Sequence, residues 1–124
     1  MSQVRQYQML IDGQWCDASD GKTFDSTSPS TGAVWAKIPE ATADDVDRAV
    51  RAADRAFTSG PWASMTPSAR GRCLRKLGDL LADHSESLGR TETVDTGKML
   101  KETRWQAKYI AEFFHFFAGA ADKI

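Results

Sequence analysis

The sequence predicts a chain in two parts: a small antiparallel β unit over roughly the first forty residues, then three to four helices, the last long and amphipathic. Three observations carry this. Asp-Gly pairs sit between short apolar runs near the start. The hydrophobic period changes from about two to about 3.6 after Pro39. A broad aromatic stripe then fills the stretch from Trp105 to Ala121.

Met9-Leu10-Ile11 and Gln14-Trp15-Cys16 flank Asp12-Gly13, a dipeptide that tolerates positive φ and so favours a tight type I′ hairpin turn. Asp20-Gly21 marks another turn before Thr23-Phe24, which continues as a strand, and Ser28-Pro29-Ser30-Thr31-Gly32 is dense turn chemistry. Val34, Ala36 and Ile38 then alternate with Trp35 and Lys37, as in a half-buried strand, and Pro39 ends it by removing a donor.

Thr42 is placed to cap a first helix, with Asp44, Asp45 and Asp47 in the turn where the helix dipole favours negative charge. Val46, Ala49, Val50, Ala53 and Phe57 recur at helical spacing and are expected to form its buried face, with Arg48, Arg51 and Arg55 on a solvated face. Ser59-Gly60-Pro61 stops it. Thr66-Pro67 opens a second helix, a capping hydroxyl followed by Pro at the first helical position. Cys73, Leu77, Leu80, Leu81 and Leu88 are expected on the buried side there, with a break near His84-Ser85 and a third helix through about Val94.

Asp95-Thr96-Gly97-Lys98 is a polar turn feeding the last helix. At ~100° per residue, Trp105, Tyr109, Ile110, Phe113, Phe114, Phe116, Phe117, Ala120 and Ala121 span about 200° of its circumference, wider than the stripe of an ordinary surface helix. Full burial of its four Phe side chains would contribute ~1.5–3 kcal/mol each, more than the Ala, Val and Leu of the earlier helices can readily accommodate.

Composition narrows the function classes. The chain has 124 residues, 41% apolar and 27% charged, with a net charge of −1, values of a folded globular protein rather than a disordered one. No block of like charge invites nucleic acid, and no apolar run approaches the ~20 residues of a membrane span. Cys16 and Cys73 form no CxxC and have no His at ligand spacing, so a reducing, cytoplasmic setting is expected, with neither disulfide nor zinc. Both cysteines read as small hydrophobes, and His84 and His115 as isolated surface or helix-end residues.

Catalytic signatures fail in turn. No two glycines stand one residue apart, so no GxGxxG turn exists, and Gly97-Lys98 lacks the P-loop glycine because position 92 is Glu92. Asp95-Thr96-Gly97 spells the aspartic-protease triplet. That chemistry needs two carboxylates face to face on loops after strands, and here the triplet lies between helical patterns. From the residues alone, the aromatic helix suggests a free-standing helical interaction module that binds a partner.

Six segments, in order, resemble the N-terminus of the aldehyde dehydrogenase superfamily: Leu10-Ile11-Asp12-Gly13-Gln14-Trp15, Ser28-Pro29-Ser30-Thr31-Gly32, the run from Ala41 to Val50, Gly60-Pro61-Trp62, the run from Glu92 to Lys98, and the run from Phe117 to Ile124. The sequence departs from the family's habits at Ser28, where Asn is common, at Met99, where Pro often follows Gly-Lys, and at Ala120, where Trp is frequent.

The resemblance implies an α/β family fold in which residues 1–124 are the N-terminal portion of the cofactor-binding domain. It implies oxidation of an aldehyde substrate to a carboxylic acid with NAD or NADP. A cysteine thiolate, a glutamate base, an oxyanion-binding asparagine and the residues holding the cofactor are all expected beyond Ile124, and neither Cys16 nor Cys73 matches the nucleophile. Three roles carry over to this chain. Asp95, with backbone oxygens near Ser26 and Thr27, resembles a monovalent-cation site, the alternative being that Asp95 caps the final helix. Trp105 and Tyr109 resemble the lining of a substrate channel, the alternative being plain packing. Members assemble as homo-oligomers, mostly through segments other than these. The 124-residue chain alone is expected to be inactive.

Overall fold

The computed structural model describes residues 3–123, which fall into two compact units, Met1–Ser64 and Met65–Ile124. The first holds five strands and two helices: β1 (Arg5–Gln6), β2 (Met9–Ile11), β3 (Gln14–Cys16), β4 (Thr23–Thr27), β5 (Val34–Pro39), α1 (Ala43–Thr58) and the single turn α2 (Pro61–Ser64). The second holds α3 (Pro67–Asp83), α4 (Ser85–Thr96) and α5 (Leu100–Ala120).

The Asp-Gly turn does what its chemistry demands. Asp12 and Gly13 adopt φ of 53° and 76°, closing β2 on β3 with Leu10 opposite Trp15. The second sheet has the order β1-β5-β4. β4 runs antiparallel to β5, as expected, and Ala36 at its centre is fully buried. Two details differ from the sequence expectation. Pro39 is the last residue of β5, opposite Thr23, rather than the stop after it. Arg5–Gln6 also adds a short parallel strand beside Ala36 and Lys37, which a two-residue polar segment gives no pattern to reveal.

α1 begins with a full capping box. The Thr42 hydroxyl accepts the Asp45 N–H, and the Asp45 carboxylate accepts the Thr42 N–H. Arg48, Arg51 and Arg55 are exposed, as expected, but most of the apolar face is exposed as well. Asp45 and Ala52 are buried, and on the same stripe Arg55 donates to Asp12 of the hairpin at 3.0 Å. Val46, Val50, Ala53 and Phe57 instead face outward, Val50 61% and Phe57 77% exposed. Apolar spacing identified a stripe correctly but could not say whether anything in this unit covers it.

The helical unit is built on small residues. Thr103, Ala107 and Ala111, four apart, are the buried positions of α5, and Gly71 and Gly78 of α3 with Gly89 of α4 are the buried positions opposite. The helices approach so closely that a Cβ at Gly71 would stand 2.6 Å from the Ala118 carbonyl oxygen, and one at Gly78 would stand 2.7 Å from the His115 ring. The leucine side expected for α3 and α4 is correspondingly displaced: Cys73, Leu77, Leu80 and Leu88 are exposed and Leu81 is half-buried. Thr103 is fully buried; its hydroxyl donates to the Gly89 carbonyl at 2.9 Å and meets the Thr93 hydroxyl at 2.8 Å. At the rim, Glu86 of α4 accepts from Arg90 and from Arg104 of α5, each at 2.7 Å.

Candidate functional site

Trp105 and Tyr109 are brought together as their i, i+4 spacing on α5 requires. Their rings stack with centroids 4.8 Å apart and planes 11° apart, and Phe113 meets Tyr109 edge-on at 5.3 Å. Further along, Phe116 and Phe117 make another edge contact at 5.3 Å. Tyr109, Glu112, Phe113, Phe116 and Phe117 line a shallow groove along the outer face of the helix. Trp105 is 60% and Phe116 69% exposed, so within this unit the aromatic arc lies away from the glycine and alanine seam. The arrangement offers flat, polarizable surface with the carboxylate of Glu112 at its edge, suited to binding rather than to bond-making.

Ser26 and Thr27 end β4 at an irregularity. Pairing steps from Ala36 to Val34 across them, skipping Trp35, whose indole N–H donates to the Ser26 hydroxyl at 3.0 Å. Asp95 belongs to the other unit, exposed in the last turn of α4. Gly97 then closes that helix with φ 77°, its N–H donating to the Thr93 carbonyl. Met99 stands at the N-cap position of α5. The aspartic-protease reading has no support, since the triplet closes a helix instead of following a strand. Among the described residues no cluster of three or more His, Cys, Asp or Glu could hold a metal ion.

Two polar arrangements escaped the sequence reading. His115 is not isolated: its Nε2 meets Asp79 Oδ1 at 2.9 Å, joining α5 to α3 over a separation of 36 residues. Asp45 is the anchor of the first unit. Its fully buried side chain accepts from the Ser19 and Thr42 N–H groups, both at 3.0 Å, and from Arg48 at 2.6 Å. The Ser19 and Thr42 amides, and then the Arg48 guanidinium, hold its carboxyl far below the usual carboxylate range against the opposing effect of burial. The same pairing raises the pKa of Arg48, chiefly through its hydrogen bond to Asp45.

Gly13, Gly21, Gly32 and Gly97 carry positive φ in turns and at a helix C-terminus. At the start of α1 the Thr42 hydroxyl accepts the Asp45 N–H, and at the start of α3 the Thr66 hydroxyl accepts the Ala69 N–H.

Short strands followed by close-packed helices, with ordered turn and cap motifs on them, define an α/β chain. The sequence profile of the aldehyde dehydrogenase family matches residues 15–124, and the chain belongs to that family. It is 46% identical over 121 residues to the (Z)-2-((N-methylformamido)methylene)-5-hydroxybutyrolactone dehydrogenase of Acinetobacter baylyi, covering 98% of this chain and 24% of that protein. The NAD-dependent aldehyde dehydrogenase of Sinorhizobium meliloti superposes with a TM-score of 0.93 at 38% identity, over 98% of this chain and 24% of that one. A point mutant of the betaine aldehyde dehydrogenase of Staphylococcus aureus, in complex with NAD+, gives 0.89 at 40% identity, over 98% and 24%. The chain thus spans about a quarter of the length of the relatives it matches. No helix among the described residues is long and apolar enough to cross a membrane.

Proposed function

We propose that this chain is the N-terminal portion of the cofactor-binding domain of a cytoplasmic, homo-oligomeric aldehyde dehydrogenase. The whole enzyme oxidises an aldehyde to its carboxylic acid: a cysteine thiolate adds to the aldehyde carbon, hydride leaves to NAD or NADP, and a glutamate-activated water releases the acid. The observation that carries this reading is the match of 98% of the chain, at a TM-score of 0.93, to an NAD-dependent aldehyde dehydrogenase. Nucleophile, base and nucleotide site are supplied by other parts of the enzyme. The residues of this chain shape its walls.

A chimera tests the reading. Placing this chain in the matching quarter of the Sinorhizobium meliloti enzyme is expected to give NAD-dependent aldehyde oxidation, while the 124-residue chain alone gives none. A folded, soluble chimera without activity, or turnover by the isolated chain, would overturn it.

Within that enzyme the Trp105–Tyr109 stack forms part of the wall along which the aldehyde enters. Their exposed, mutually braced rings favour this role over burial in the helical unit. Tyr109→Ala in the chimera is expected to shift the ratio of kcat/KM between a bulky and a small aldehyde by about tenfold, the scale of losing apolar contact in a pocket. An unchanged ratio returns Tyr109 to a packing role.

Asp95, with the backbone oxygens near Ser26 and Thr27, forms the monovalent-cation site. The resemblance of the Glu92–Lys98 run to the family supports this assignment, and oxygen donors suit a hard cation. Rubidium-soaked crystals of the chimera are expected to show anomalous density beside Asp95; a clean map there rejects the site.

A further inference from the structure

We draw no further inference here: the strongest candidate, the exposed aromatic groove of Tyr109, Phe113, Phe116 and Phe117 along the outer face of α5, is an unpartnered apolar face carried by a single helix, and nothing in the structure shows what covers it.

Discussion

Gly89→Ala is expected to destabilise the helical unit by about 1–3 kcal/mol, the usual cost of forcing extra volume into a close-packed contact. The sign is informative because alanine is about 1 kcal/mol better than glycine in an unobstructed helix. At position 89 the new Cβ would lie 2.7 Å from the Arg104 Cα and 2.8 Å from its backbone nitrogen. No side chain can swing aside to relieve that contact, so α4 and α5 must separate. Separation also stretches the hydrogen bond from the buried Thr103 hydroxyl to the Gly89 carbonyl, now 2.9 Å, and leaves the carbonyl without that buried donor. Gly119→Ala is the matched control. It lies in the last turn of the same α5, a Cβ there meets nothing within 4 Å, and it should stabilise by up to about 1 kcal/mol. Urea unfolding of the two variants beside the parent chain reads both effects. If Gly89→Ala proves as stable as Gly119→Ala, the helices are not held at the distance the geometry gives.

The same glycine explains where sequence reasoning stopped. Positive-φ dipeptides and capping residues act within a few positions of themselves, so the Asp12-Gly13 hairpin, the Thr42 cap and the Thr66-Pro67 start were legible without any tertiary information. Burial is different in kind. The spacing of Val46, Val50 and Phe57 says that one side of α1 is apolar, not that a partner within the chain meets it. A reading that gives every apolar stripe to the core therefore misplaced that face, and the Leu77–Leu80–Leu88 side of α3 and α4 with it. The surfaces in contact carry Gly71, Gly78, Gly89, Ala107 and Ala111, residues too small to raise a hydropathy signal. Their one visible trace is spacing, seven residues between Gly71 and Gly78 and four between Ala107 and Ala111. His115 and Asp79, or Arg55 and Asp12, are pairs that only the folded chain brings together. Of the candidate site, the Trp105–Tyr109 stack followed from helical periodicity. The set of Asp95 with Ser26 and Thr27 came from family resemblance alone, since no local rule relates positions so far apart in the chain.

Asp45→Asn is expected to lower the melting temperature of the first unit by on the order of 5 °C at pH 7, and to remove most of its stability loss in acid. Asp45 differs from the other carboxylates of α1 in being fully buried and in accepting from Ser19, Thr42 and Arg48 together. It therefore ties the loop after the hairpin to the start of the helix. The carboxylate form fits because every neighbouring group is a donor. Asparagine turns an NH2 toward one of them and forfeits the charge that Arg48 faces. The pH dependence follows from the direction of the shift. The Ser19 and Thr42 amides hold the folded pKa below that of the unfolded chain, so the contribution is complete above the ordinary carboxylate pKa of about 4 and declines as pH falls toward the folded value. Parent and variant should thus differ most near neutrality and converge on acidification. Thermal melts followed by circular dichroism from pH 7 to pH 3 would trace this, and amide exchange at Ser19 and Thr42 would place it. A gap between the two proteins that stays constant across that range would mean that Asp45 acts through shape alone, and that its charge contributes nothing to the junction.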